Sequence, residues 1–210
     1  MSWFSATSPA LAPTPARGHR SLAFKALVQG LHPEARPGVL DLGPPLSGNI
    51  KFLSALSCRV RVADFHRSLA AEPLESRRPE AMPALVERLL PLQPDERFDA
   101  VLAWDVFDYM RKDQVSALMA RLLPRLRRHA HVLVLVSMRA QIPAVPARYR
   151  ILDRENLDYE KSDGHGGPEP MRPCPRYRQS DLSHMMPGLT VERCYLLRSG
   201  IQEYLLSHDL

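Results

Sequence analysis

Several acidic residues of this chain stand where an apolar run ends. Asp41 and Gly43 close "GVLDLG", Asp64 closes "RVRVAD", and Asp105 follows "FDAVLAW". A carboxylate at the carboxyl end of a buried strand suits hydrogen bonding to the hydroxyls or amines of a ligand lying across the strand ends. Asp64 follows Gly43 by roughly 20 residues, the separation at which an acidic side chain reaches both hydroxyls of a ribose in a strand–helix–strand unit. Gly43 offers bare backbone to a ligand, and Asp41 beside it can orient an amino group or serve the amides of its own turn. Phe65 would pack on a flat ring bound next to Asp64. Asp105 and Trp104 would close the far side of the same crevice. Asp108 is expected to cap the helix that begins near Lys112, and Trp104 and Tyr109 to serve as wall and core.

The turn after Gly43 reads "PPLSGN". Pro44 and Pro45 have φ fixed near −65° and no N–H to offer, and Leu46 adds bulk. Gly48 restores some freedom. Ser47-Gly48-Asn49 is expected to start a helix whose free amides face the crevice.

Positioning these residues takes alternating strands and helices. "HRSLAFKALVQGLH", residues 19–32, spaces its apolar residues for a helix that Pro33 ends. "GVLDLG" is a short buried strand, and "SGNIKFLSALS" a helix with Ile50, Leu53 and Leu56 on one face. "RVRVADF", Arg59 to Phe65, alternates into a second strand, completing a βαβ unit. "EAMPALVERLLPL" contains a helix, Phe98 to Trp104 the clearest strand, "KDQVSALMARLLPRLRR" an amphipathic helix and "HVLVLVSM" a fully buried strand. The basic cluster "RLRRHAH" is expected at the solvated end of that helix, where cations favour the negative pole of its dipole. "LTVERCYLLR" and "GIQEYLLSH" meet at Ser199-Gly200 as an antiparallel hairpin. The fold expected is α/β: a doubly wound, mostly parallel, Rossmann-like sheet ending in an antiparallel hairpin.

Residues 139–180 interrupt the alternation. They are rich in Pro, Gly and charge, and carry Tyr149, Tyr159, His165 and Tyr177. So long an excursion inside a compact domain is expected to be an irregular, mobile cover over a site, or an insert. Residues 1–18 contain Ala, Pro and Ser and no acidic residue, and are expected to form a disordered arm ahead of one domain spanning 19–210.

With 210 residues, 45% of them hydrophobic, the chain can bury a sizeable core. No apolar run approaches the ~20 residues of a membrane-spanning helix. A net charge of +5 leaves an acidic partner open, but the arginines are scattered and not interleaved with aromatics, so nucleic acid is not expected. Cys58, Cys174 and Cys194 cannot all pair within one chain and lack metal-ligand spacing, which points to a reducing, cytoplasmic setting and to no metal.

From about residue 20 onward the chain resembles the class I S-adenosylmethionine-dependent methyltransferases. "VLDLGPPLSG" takes the place of that family's Gly-rich first turn, "VRVADF" of its acidic second strand end, and "FDAVLAWDVFDYM" of its acidic and aromatic fourth. "GLTVERCYLLRSGIQEYLLSH" is similar to its last two strands. The resemblance implies S-adenosylmethionine as cofactor, held by Asp41, Gly43, Gly48, Asp64, Phe65 and Asp105. Pro45 and Ser47 replace the family's usual glycines, so the loop is degenerate. The function implied is methyl transfer to an acceptor under residues 139–180. The alternative is an inactive methyltransferase-fold protein serving as a scaffold or regulatory partner, and homo-oligomerisation stays open. The phosphate fingerprint G-x-G-x-x-G is missing, which disfavours a dinucleotide enzyme. No general base stands out, and methyl transfer needs chiefly in-line positioning.

Overall fold

A computed structural model describes residues 18–160 and 170–209. The chain opens with a two-residue strand, β1 (His19–Arg20), and helix α1 (Leu22–Gln29). The Ser21 hydroxyl starts that helix by accepting a 3.1 Å bond from the Phe24 amide, so the helix begins after His19 and Arg20, which pair as strand instead. Strand β2 (Gly38–Asp41), helix α2 (Ser47–Ala55) and strand β3 (Arg59–Val62) form the first parallel unit. Gly38 has to be glycine, because a Cβ there would sit 2.4 Å from the Arg97 carbonyl oxygen. β3 stops short of Asp64, and Phe65 already belongs to helix α3 (Phe65–Ala70).

Helix α4 (Met82–Leu89), strand β4 (Phe98–Trp104) and helix α5 (Lys112–Leu122) follow. The basic cluster is not the end of α5. Pro124 lies in a short 3-10 turn, and the chain enters strand β5 (Leu126–Ser137) at Leu126. Against β4 the register passes from Leu126 opposite Phe98 to His131 opposite Ala100, a wide bulge with His129 at φ +63°. The bulge leaves Arg127, Arg128 and His129 in solvent while Leu126 and Ala130 stay buried.

Four short strands occupy the interval where sequence periodicity is weak: β6 (Gln141–Pro143), β7 (Arg148–Ile151), β8 (Asn156–Glu160) and β9 (Met171–Pro173). β7 and β8 form a hairpin that adds to β1, and β6 pairs with β9. Helix α6 (Gln179–Met185) then leads to the hairpin β10 (Leu189–Leu196) and β11 (Ile201–His208).

The main sheet runs β10-β11-β5-β4-β2-β3, parallel except for the hairpin. It is a Rossmann-like α/β sheet with cores on both faces. α3 to α6 cover one face with Phe65, Met82, Leu118 and Leu182, while α1 and α2 cover the other with Phe24, Leu27 and Leu53. β4 alternates between them: Val101 and Ala103 point to the first core, Ala100, Leu102 and Trp104 to the second. Trp104 therefore shares its face with Tyr149 of the cover. Among the described residues no helix is long and apolar enough to cross a membrane.

Candidate functional site

The carboxyl ends of β2, β3 and β4 bound an outer crevice of about 460 Å³, floored by Gly43, Pro44 and Pro45. Asp64 stands at its edge in a left-handed conformation, φ +42° and ψ +51°, which aspartate tolerates better than most side chains. The turn is secured on both sides: the Asp64 amide donates to the Gly43 carbonyl (3.1 Å) and the Phe65 amide to the Leu42 carbonyl (3.0 Å). The Asp64 carboxylate does not cap α3 and stays uncommitted beside Arg67 and Arg148. Partial burial raises its pKa while the two arginines oppose that rise.

Asp41 is 1% exposed and lies behind the crevice. Its Oδ1 accepts from the Gly43 amide (2.9 Å) and the Trp104 indole N–H (2.7 Å). Burial pushes its pKa up to about 6, with those two bonds pulling the other way. Gly43 is bare because the indole needs the room: a Cβ would meet Trp104 Cδ1 at 2.9 Å and Asp41 Oδ1 at 3.1 Å. Trp104, at φ +50°, lies parallel to Tyr149 at 5.4 Å between centroids.

Phe65 is 0% exposed in the core and Gly48 stands in solvent, so neither reaches the crevice. Asn49 next to Gly48 does something the sequence did not disclose. Its Nδ2 donates to the Tyr149 carbonyl (2.9 Å) and its Oδ1 accepts from the Ile151 amide (2.8 Å), fastening α2 to β7. The first turn of α2 thus holds the cover in place. The structure gathers Gly43, Asp64 and Asp105 on one crevice and leaves Asp41, Gly48 and Phe65 outside its lining.

Beyond Asp105 opens an inner cavity of about 270 Å³, between the ends of β4 and β5, the β10–β11 turn and the cover. The two spaces share Asp105, Val145 and Ala147. Asp105 Oδ2 accepts from the Ala147 amide (3.1 Å), tying the cover to the end of β4. Asp108 does not cap α5, whose start is served by Gln114 Oε1 accepting from the Arg111 amide (2.8 Å). A 3-10 turn over Val106–Tyr109 swings Asp108 inward instead, where its Oδ2 accepts from the Ser137 amide (2.8 Å) at the end of β5. Burial raises Asp105 to about 7 and Asp108 to about 8; the Ala147 and Ser137 amides oppose this, and Asp105 adds repulsion at Asp108. The remaining Oδ1 of each has no hydrogen-bond partner.

Tyr109 donates to the Val145 carbonyl (2.9 Å) and carries Arg172 over its ring. His66 meets the same ring edge-on, and burial followed by the charge of Arg172 pushes its pKa down to about 4, so it is neutral at pH 7. Tyr159 lines the inner cavity and Tyr177 donates to the Met110 carbonyl in the core (2.5 Å). His165 lies outside the described residues.

Neither a protein-family model nor a curated protein matches the sequence. Among solved structures the chain is similar to 1,6-didemethyltoxoflavin-N1-methyltransferase of Burkholderia thailandensis, which holds 1,6-didemethyltoxoflavin and S-adenosylhomocysteine. Identity is 16% over 90% of this chain and 80% of that one, with a TM-score of 0.47. It is also similar to the CcbJ methyltransferase of Streptomyces caelestis (16% identity, 89% and 94% covered, TM-score 0.48). For TehB of Haemophilus influenzae the figures are 15% identity, 88% of this chain, 62% of that chain and a TM-score of 0.48.

Proposed function

We propose that this chain is an S-adenosylmethionine-dependent methyltransferase acting on a small acceptor. The observation that carries this reading is the pair of cavities that meet at Asp105 across the carboxyl ends of the strands, one space for each reactant. The outer crevice fits the cofactor in three respects. The uncommitted Asp64 carboxylate suits the ribose hydroxyls, Arg67 and Arg148 suit the amino-acid carboxylate, and about 460 Å³ is room for a nucleoside. Pro44 and Pro45 give it no N–H, and the indole of Trp104 narrows the side next to Gly43. The pocket is therefore retained but weaker than a glycine-rich one. In this reading Gly43, Asp64 and Asp105 touch the cofactor, Asp41 positions Gly43 and Trp104, and Gly48 and Phe65 make no contact.

When bound, S-adenosylmethionine supplies a sulfonium methyl that leaves as its bond to sulfur breaks, the electron pair staying on sulfur. The residues of this chain orient the acceptor in line with that bond and exclude water beneath the cover. The test is titration calorimetry of the full chain with S-adenosylhomocysteine. A single saturable site is expected; no heat of binding overturns the reading.

A further inference from the structure

We propose that the inner cavity is an amine subsite, taking a small ring-bearing primary or secondary amine whose N–H groups bridge Asp105 and Asp108. As the identity of the methyl acceptor, this rests on the methyl-transfer reading; as a binding site it stands alone. Asp108 is 1% exposed and lines the cavity, and its Oδ1 has no donor although Oδ2 is bonded to the Ser137 amide. Asp105 repeats the pattern, with Oδ2 on the Ala147 amide and Oδ1 without a partner. Two buried acceptors on one small cavity are a rare arrangement, because each forgoes hydrogen bonds it would make in water. A ligand with two or more N–H donors satisfies both, whereas a single hydroxyl can donate to only one and a carboxylate meets repulsion.

The walls favour the same ligand. Tyr109, Tyr149 and Tyr159 offer ring surface, with Ile142 and Met171 completing an apolar lining. Aromatic faces attract cations and accept flat rings. The nearby arginines leave the free oxygens open: Arg139 Nε donates to the Ser199 carbonyl (3.0 Å), and Arg172 lies 5.5 Å over Tyr109, where its charge offsets part of the rise at Asp108 without donating to it. A volume of about 270 Å³ falls just below the ~300 Å³ at which drug-sized pockets begin, which suits a single ring.

The chemistry balances within these residues. The nitrogen lone pair of the neutral amine forms the new bond to carbon as the carbon–sulfur bond breaks, and a proton leaves nitrogen for Oδ1 of Asp108 in its ionised form. Burial, which raises the pKa of that carboxyl, makes its ionised form a stronger base than an exposed aspartate.

Calorimetry of the full chain with benzylamine, benzyl alcohol and benzoate, each with and without S-adenosylhomocysteine, decides the matter. Benzylamine is expected to bind at one site at least tenfold more tightly than the other two. Asp108→Asn is expected to weaken it tenfold or more while S-adenosylhomocysteine binding is unchanged. Equal or tighter binding of benzoate or benzyl alcohol, no binding of any of the three, or a folded Asp108→Asn variant with undiminished benzylamine affinity overturns the proposal. The ranking of the three ligands on the unaltered protein decides it even if the variant does not fold. Discrimination for benzylamine without S-adenosylhomocysteine binding would remove the methyl-transfer reading and leave the amine subsite standing.

Discussion

The outer crevice and the inner cavity meet at Asp105 but are built by different means. The turns after β2 and β3 and the start of α3 make about half of the outer wall, with the end of β4 and residues 145–148 of the cover completing it. Its one uncommitted carboxylate, Asp64, faces Arg67 and Arg148. The inner wall comes from the ends of β4 and β5, the last hairpin and the cover, and its two carboxyls face tyrosines and each other. In the proposed reading the first space takes a ligand with an anionic end and a diol, and the second a hydrogen-bond donor. The difference also shows how a carboxyl is accommodated: offset by arginine in the first space, and with its pKa raised chiefly by desolvation in the second.

The boundary between the two spaces rests most heavily on Trp104, which stacks on Tyr149 and fills the gap beside Gly43. Trp104→Ala should cost about 3–5 kcal/mol in denaturant unfolding, since it opens a cavity and leaves buried Asp41 without its indole donor. A loss under ~1 kcal/mol would mean that the indole does not organise the boundary. Asp64→Ala tests the outer space alone. It should weaken S-adenosylhomocysteine tenfold or more, the ~1.5–3 kcal/mol of a charge-assisted hydrogen bond, and leave the unfolding midpoint and benzylamine affinity unchanged. Unchanged S-adenosylhomocysteine affinity in that variant removes Asp64 from the site.

The smallest effect sharpens the contrast through pH. Asp41, Asp105 and Asp108 are raised from 3.8 to about 6, 7 and 8, so each holds its proton more tightly in the folded state than in the unfolded chain. Their stabilising contribution is full below pH ~4 and is lost as pH rises through those folded values. Each titrating carboxyl should lower the unfolding free energy by up to ~1.4 kcal/mol per pH unit across its window. Asp108→Asn should leave the profile nearly flat between pH 7 and 8, where of the three carboxyls Asp108 retains the most proton. Identical slopes for the two proteins there would show that Asp108 is already ionised.

Much of the sheet was legible because apolar runs and their spacing are local. "GVLD", "RVRV", "FDAVLAW" and "HVLVLVS" all lie in strands, and the Ser199-Gly200 turn joins a hairpin. Local pattern failed where a distant partner set the outcome. "RLRRHAH" looks like a helix end, yet β4 draws it into β5 through a bulge. "RYRI" at 148–151 carries strand alternation, but it pairs as β7 only because β8 and Asn49 are there to receive it.

The site divides the same way. That Asp64 would end a strand region roughly 20 residues after Gly43 follows from the βαβ spacing, because chain length between parallel neighbours is a local quantity. So does the absence of two amides at Pro44 and Pro45, since it is covalent. Which way each carboxyl turned was decided only by tertiary structure. Asp41 turned to the Trp104 indole, 63 residues away in sequence, and Asp108 to the end of β5 rather than to the helix that follows it. A buried carboxylate goes to whichever donors the packing leaves unpaired, and those donors belong to strands and a cover far along the chain.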